Sequence, residues 1–413
     1  MHPKDGRRHS VAKEPQDNAG IRQSTLSAPN FTGKCFFAPL HFRPLSISDI
    51  LLWGFYLVTT LSNKILNIQA LRGIAVMLVI AFHLAGNEEK YGHGYTILPD
   101  FLAIGSSGVD IFFVISGFVM VTITRGRFRK TGAIRKFIYH RVTRIYPVYW
   151  FYSVLMLAII WVQWETSSST RVIDMTASFL LLPQNQLPLL VVGWTLVHEM
   201  YFYFVFSLLL AFHERWLSAL MILWCVASII GAVILSSTEN PIIQLIVNPL
   251  TLEFITGGLI ARAHFSGKSS FAWLLLILAV AWWILGYGIC VKLGLAPESS
   301  SWLRLLLFGV PSAFFVYALV ALEKSSGWRM PSWLMLIGDA SFSIYLSHLL
   351  VIAFIGRIWE AFGLVGPYTN GIVLIAMLLS ALVIGITSFR LIELPLLNFT
   401  RRFEPLFVLK RVG

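Results

Sequence analysis

Ten apolar stretches, each long enough to cross a bilayer, recur along this 413-residue chain and constrain its fold more than any other feature. Their approximate limits are residues 66–86, 107–124, 145–163, 191–212, 216–236, 241–261, 271–291, 302–322, 332–356 and 370–390. Backbone groups in lipid must be satisfied inside their own segment, so the expected fold class is an all-α integral membrane bundle of about ten helices. Loops as short as His213–Arg215 and Ser237–Asn240 force neighbouring spans to run antiparallel. Only 13% of the residues are charged while 57% are hydrophobic, which excludes a soluble two-domain enzyme, a disordered chain and a fibre. Three scattered cysteines, Cys35, Cys225 and Cys290, exclude a disulfide framework and a zinc site.

The net charge of +12 raises nucleic acid as a partner, but the placement of the charges argues for membrane topology instead. Between Arg125 and Arg144 lie eight basic residues and no acid. With that stretch cytoplasmic, the loops on its side carry 18 Lys and Arg, and the opposite loops carry five: Lys90, Arg171, Lys292, Arg304 and Arg357. Both termini are therefore expected in the cytoplasm. Residues 1–63 read as a basic tail with a short interfacial apolar segment at Ile50–Leu61, residues 64–400 as the membrane domain, and 401–413 as a cytoplasmic tail. The first 46 residues have no early apolar run and are not a secretory signal peptide.

Ionisable groups inside spans are costly and mark candidate sites. Arg72 and His83 lie eleven residues apart on the first span, about three turns or roughly 16 Å, and so share one face. Arg72 also suits an interfacial anchor, and His83 suits a packing histidine. Asp110 opens the second span near the level of His83, where a carboxylate can fix an imidazole tautomer; it equally suits a helix start. Ser116, beside Gly117, suits either a polar contact or close helix packing. Arg141 and Arg144, three residues apart, present two guanidinium forks that match a phosphate or pyrophosphate, or serve only as positive-inside charge. Glu199 lies about 12 Å inside the fourth span, with Thr195 and Tyr203 one turn away on its own face. Glu253 poses the same question in the sixth. In the ninth, Asp339, Ser343 and Ser347 form one stripe, and Ser341, Tyr345 and His348 another, both expected to face the bundle interior. No His-x-x-x-His or Glu-x-x-His pair supports a metal site.

Taken together, these residues resemble the acyltransferase-3 family of bacterial membrane acyltransferases, in particular exopolysaccharide O-acetyltransferases. The resemblance is carried by Asn67 to Gly73, the spacing of Arg72 and His83, Gly108 to Phe118, the Arg141 and Arg144 pair, Trp194 to Glu199, Ser341 to His348, and Glu393-Leu394-Pro395. It implies a multi-pass protein of the bacterial inner membrane that transfers an acyl group, usually acetyl from acetyl-CoA, to a carbohydrate hydroxyl. It also implies roles for the Arg72/His83 and Arg141/Arg144 pairs. Some members carry a C-terminal SGNH-type domain, which is not expected here because the chain stops at Gly413, soon after the tenth span. The mechanism expected from both lines has His83 as general base oriented by Asp110, and Glu199 assisting. Arg72, Arg141 and Arg144 would hold the acetyl-CoA phosphates, and Ser116, Tyr203, Ser343, Tyr345 and His348 would line a channel to a saccharide or lipid-linked oligosaccharide acceptor. The rival reading is a polytopic transporter or flippase for a saccharide or small anion, since buried charges also mark such pathways.

Overall fold

Apolar runs without internal partners other than their own backbone fold as helices, and every regular element among the described residues of the computed structural model is helical. It describes residues 65–164, 173–235, 237–267, 270–295, 300–363 and 365–404. The expected tail over 1–63 and most of 401–413 lie outside these residues. The chain begins with α1 (Leu66–Tyr91), a tight 3₁₀ stretch (Asp100–Ser107), α2 (Gly108–Thr124) and α3 (Ala133–Trp164). Then come α4 (Met175–Leu180), α5 (Gly193–Leu209), α6 (Leu217–Ile234), α7 (Pro241–Ile246), α8 (Leu250–Phe265) and α9 (Ala272–Leu293). The last third holds α10 (Ser301–Arg304), α11 (Val310–Ser326), α12 (Ser332–Asp339), α13 (Ser341–Ala361), α14 (Pro367–Ser388) and α15 (Leu394–Arg401). Wide π-type turns at Leu305–Gly309 and Phe389–Glu393 join α10 to α11 and α14 to α15.

Among the described residues, nine segments are long and apolar enough to cross a membrane. The expected span over 191–212 is α5, which has only 17 residues because Leu210 to Phe212 leave the helix in a tight turn. Further boundaries differ from expectation. The span over 241–261 comprises two helices, α7 and α8, parted at residues 247–249. α3 starts at Ala133 rather than near residue 145, so Arg141 and Arg144 lie inside a helix. The expected span over 332–356 is broken at Ala340, which separates α12 from α13. The stripe joining Asp339 to Ser343 and Ser347 is therefore interrupted.

Helix α1 is fixed at both ends. The Glu323 carboxylate accepts the backbone N–H of Leu66 at 2.9 Å and of Asn67 at 2.8 Å. It thereby satisfies orphan donors and complements the positive end of the helix dipole. The Asn67 amide reaches the carbonyls of Leu319 and Trp328, and its oxygen accepts from Met330 N–H. At the far end Glu88 accepts from the N–H groups of Ile97 and Leu98. Between these anchors, Leu71, Val76 and Ile80 are wholly buried in the core with Ile111, Phe118, Phe254, Val316 and Ile344.

Helices α2 and α8 meet through glycine. A Cβ on Gly117 would overlap the carbonyl oxygen of Phe254, and a Cβ on Gly257 would overlap that of Val114. Lipid tails offer no hydrophobic drive for helices to associate, so such close backbone approach supplies much of the cohesion.

Candidate active site

Five helices place polar side chains around one cavity of about 170 Å³. α1 contributes Arg72, α2 Ser116, α3 Arg141 and Arg144, α5 Glu199 and Tyr203, and α13 Tyr345. Glu199 is held at one carboxylate oxygen, which accepts from Ser116 Oγ at 3.2 Å and from Tyr203 OH. The half-buried carboxylate thus has hydroxyl partners from its own helix and from α2. Thr195, the other residue one turn from Glu199, instead contacts Tyr345 OH at 3.0 Å. Tyr345 reaches the cavity by this bridge between α13 and α5.

The arginines are held differently. Arg141 is nearly buried, its guanidinium 5.6 Å from the centre of the Tyr203 ring and 6.0 Å from that of Phe137. Its Nε has no hydrogen-bond partner. Arg72 donates to Gln69 at 3.3 Å and feels the charges of Arg144, Glu393, Asp339 and Glu199. None of the three arginines forms an ion pair among the described residues. Clustered guanidinium groups without bonded carboxylates, beside an unpartnered buried Nε, fit an anionic group such as a phosphate.

His83, Asp110, Ser343 and His348 do not line this cavity. His83 is half-buried, and its ring stacks on that of His348 with centroids 5.1 Å apart and planes 27° apart. His348 is fully buried, with Nδ1 2.7 Å from the Tyr345 carbonyl oxygen. A carbonyl only accepts, so Nδ1 carries a proton. Nε2 of His348 has no partner and presents a lone pair when the ring is neutral. The ring of Tyr345 lies 5.7 Å from that of His348, and the same residue lines the cavity. Tyr345 therefore links the arginine-lined cavity to the histidine pair.

The expected pairing of Asp110 with His83 is replaced by another. Asp110 is wholly buried, and its two carboxylate oxygens accept from Arg304 Nε at 3.1 Å and Nη2 at 2.7 Å. Arg304 also donates to the Ser106 carbonyl at 3.0 Å. Arg304, counted from sequence with the outer loop charges, is thus a buried partner that neutralises Asp110. Glu253 lies within electrostatic range of both. Ser343 is also redirected: its Oγ donates to Glu393 Oε2 at 2.5 Å, away from the cavity lining. Glu393, which opens the Glu393-Leu394-Pro395 motif, was not singled out from sequence as a candidate site residue. It places a carboxylate near Arg72 and Arg144.

Residues 65–390 match the family model of the acyltransferase-3 group, described as "Acyltransferase domain". The chain is 32% identical over 329 residues to "Exopolysaccharide production protein ExoZ" of Rhizobium meliloti (strain 1021), covering 77% of this chain and 94% of that one. It is 26% identical to "Acyltransferase MdmB" of Streptomyces mycarofaciens, covering 82% and 93%, and 26% identical to "Nodulation protein 10" of Rhizobium leguminosarum bv. viciae, covering 62% and 76%. No solved structure matches the chain. By its helices and the match over most of its length, the chain is a multi-pass membrane protein of the acyltransferase-3 family.

Proposed function

We propose that this protein transfers an acetyl group from acetyl-CoA to a hydroxyl of an exopolysaccharide or its lipid-linked precursor, at the bacterial inner membrane. The observation that carries the reading is the convergence of Arg72, Arg141 and Arg144 on one cavity that Tyr345 connects to the His83/His348 pair. The name of the relative in Rhizobium meliloti, an exopolysaccharide production protein, supports the acceptor class, and the family supports acyl transfer.

The basic end of the bundle faces the cytoplasm in this reading, as the charge asymmetry favours. Arg141 and Arg144, with Arg72 beside them, hold the donor's phosphates in the cavity, and the thioester end reaches past Tyr345 toward the His83/His348 pair. His83 takes the proton of the acceptor hydroxyl. The hydroxyl oxygen then bonds to the thioester carbonyl carbon, the carbon–sulfur bond breaks, and the proton passes to the departing thiolate. A base of this kind contributes about 10² to 10⁴ in rate. Glu199, fixed by Ser116 and Tyr203, keeps the cavity wall polar and aligned. The imidazole beside His83 is His348, in place of the carboxylate expected from sequence.

The test is thiol release from acetyl-CoA by purified protein in detergent with a cell-derived glycan, for the wild type and His83→Ala. Release by the wild type, with a loss of about 10² to 10⁴ in the variant and unchanged donor binding, is expected. Equal release would remove His83 from the chemistry. No release by the wild type, with solute uptake into vesicles, would favour transport.

A further inference from the structure

Arg141 and Arg144 lie on the half of α3 that precedes Pro147, inside the helix. Proline has no N–H, so the carbonyl of Thr143 lacks its usual partner and the helical ladder is open there. Thr143 Oγ1 turns back to the Tyr139 carbonyl at 2.7 Å, a contact that favours bending. The helix alone therefore does not fix the angle at which its arginine-bearing half meets the cavity.

The segment after α14 does. Lys136 Nζ lies 2.8 Å from Glu404 Oε1, and His140 Nε2 lies 3.1 Å from Glu404 Oε2. Lys136 and His140 are one turn apart on the same face, so a single carboxylate bridges them. Tyr139 OH donates to the Thr400 carbonyl at 2.5 Å. The Lys136 ammonium, with His140 beside it, holds the Glu404 carboxyl below the usual carboxylate range. All three contacts fall in the turn just before Arg141, and all come from one stretch of chain.

We propose that residues 394–404 are a positioning element for the arginine pair, with Glu404 as its clamp. Glu404 fixes the half of α3 before Pro147 so that Arg141 and Arg144 face the cavity, and thereby sets the affinity for the anionic end of the acyl donor. The inference rests on the reading of these arginines as donor contacts. Side chains of Lys136 and Glu404 are 42% and 24% exposed, so the effect is modest.

The experiment measures CoA binding and steady-state kinetics with acetyl-CoA, using the full chain in detergent. The variants are Glu404→Lys, the exchange Lys136→Glu with Glu404→Lys, and Arg144→Ala. Glu404→Lys is expected to weaken CoA binding roughly threefold to tenfold and to raise the donor KM equally, with kcat unchanged. The exchange is expected to restore most of the affinity. By long-range charge alone, Glu404→Lys would tighten binding of an anion, so weakening reports geometry. Unchanged binding in Glu404→Lys, no rescue by the exchange, or a fall in kcat at constant affinity would each overturn the clamp. If Arg144→Ala weakens binding while Glu404→Lys does not, the clamp alone fails. If Arg144→Ala binds CoA as the wild type does, the donor reading fails and the clamp fails with it.

Discussion

Two arginine sites in the same bundle are built in opposite ways. At Arg304 the guanidinium is nearly buried, grips both oxygens of Asp110 and donates to a backbone carbonyl. At the cavity, Arg141 is equally buried, yet it meets aromatic rings, keeps an unpartnered Nε and has no bonded carboxylate. Burial of a charge is costly in both places. Where the protein supplies the counter-charge, the arginine ties helices together. Where no carboxylate is bonded, the same side chain is open to an anionic group, as the proposed donor role of Arg141 requires. A buried arginine is therefore informative about function only once its partner is known.

This contrast can be broken by exchanging which property each site loses. Asp110→Ala leaves Arg304 buried without its carboxylate and is expected to cost about 3–5 kcal/mol of stability. A thermal unfolding series in detergent checks this, and Asp110→Ala combined with Arg304→Leu is expected to regain most of the loss. Normal stability with abolished turnover would instead return Asp110 to the chemistry. Arg144→Ala is expected to do the reverse. The donor KM should rise about tenfold to a hundredfold, as loss of a charge-assisted bond of about 1.5–3 kcal/mol implies, with the unfolding midpoint unmoved. Gly257→Ala touches neither arginine and separates packing from charge. It should cost about 1–3 kcal/mol in stability, with the donor KM of the folded fraction unchanged. The smallest effect concerns Glu404. Its carboxyl titrates below the ordinary range, so the clamp is complete at and above that range and is lost only as pH falls through the lowered value. Donor affinity in the wild type and Glu404→Gln should differ from neutral pH down to the ordinary carboxylate range, and converge below it.

Features carried by a single helix were legible in the sequence. Arg141 and Arg144 do share a helical face and a cavity, and Tyr203 does reach Glu199 across one turn. Periodicity reports such neighbours directly. Partners from distant helices were not legible. Arg304 is 194 positions from Asp110, and nothing in the apolar runs between them records which spans touch. The break at Ala340 was hidden for a related reason. It lies where Gly338 and Gly73 let α12 and α1 cross backbone to backbone, and a glycine in an apolar run looks the same whether or not a helix crosses it. The bond between Ser343 and Glu393 likewise depends on how the π-type turn at Phe389–Glu393 rotates the end of α14.

The glycine contact between α2 and α8 has a mechanical consequence. Two rods whose main chains touch cannot ratchet past one another by a turn unless they first separate, and separation here gives up the cohesion that holds them in lipid. Ser116 and Asp110 therefore travel with α8 as one body through any working cycle. Flexing that admits and releases substrates is then expected at interrupted helices such as α3, whose ladder is open at Pro147. In an exchange experiment, the amides flanking Gly117 and Gly257 should be among the last to take up deuterium, and those next to Thr143 among the first in the membrane region.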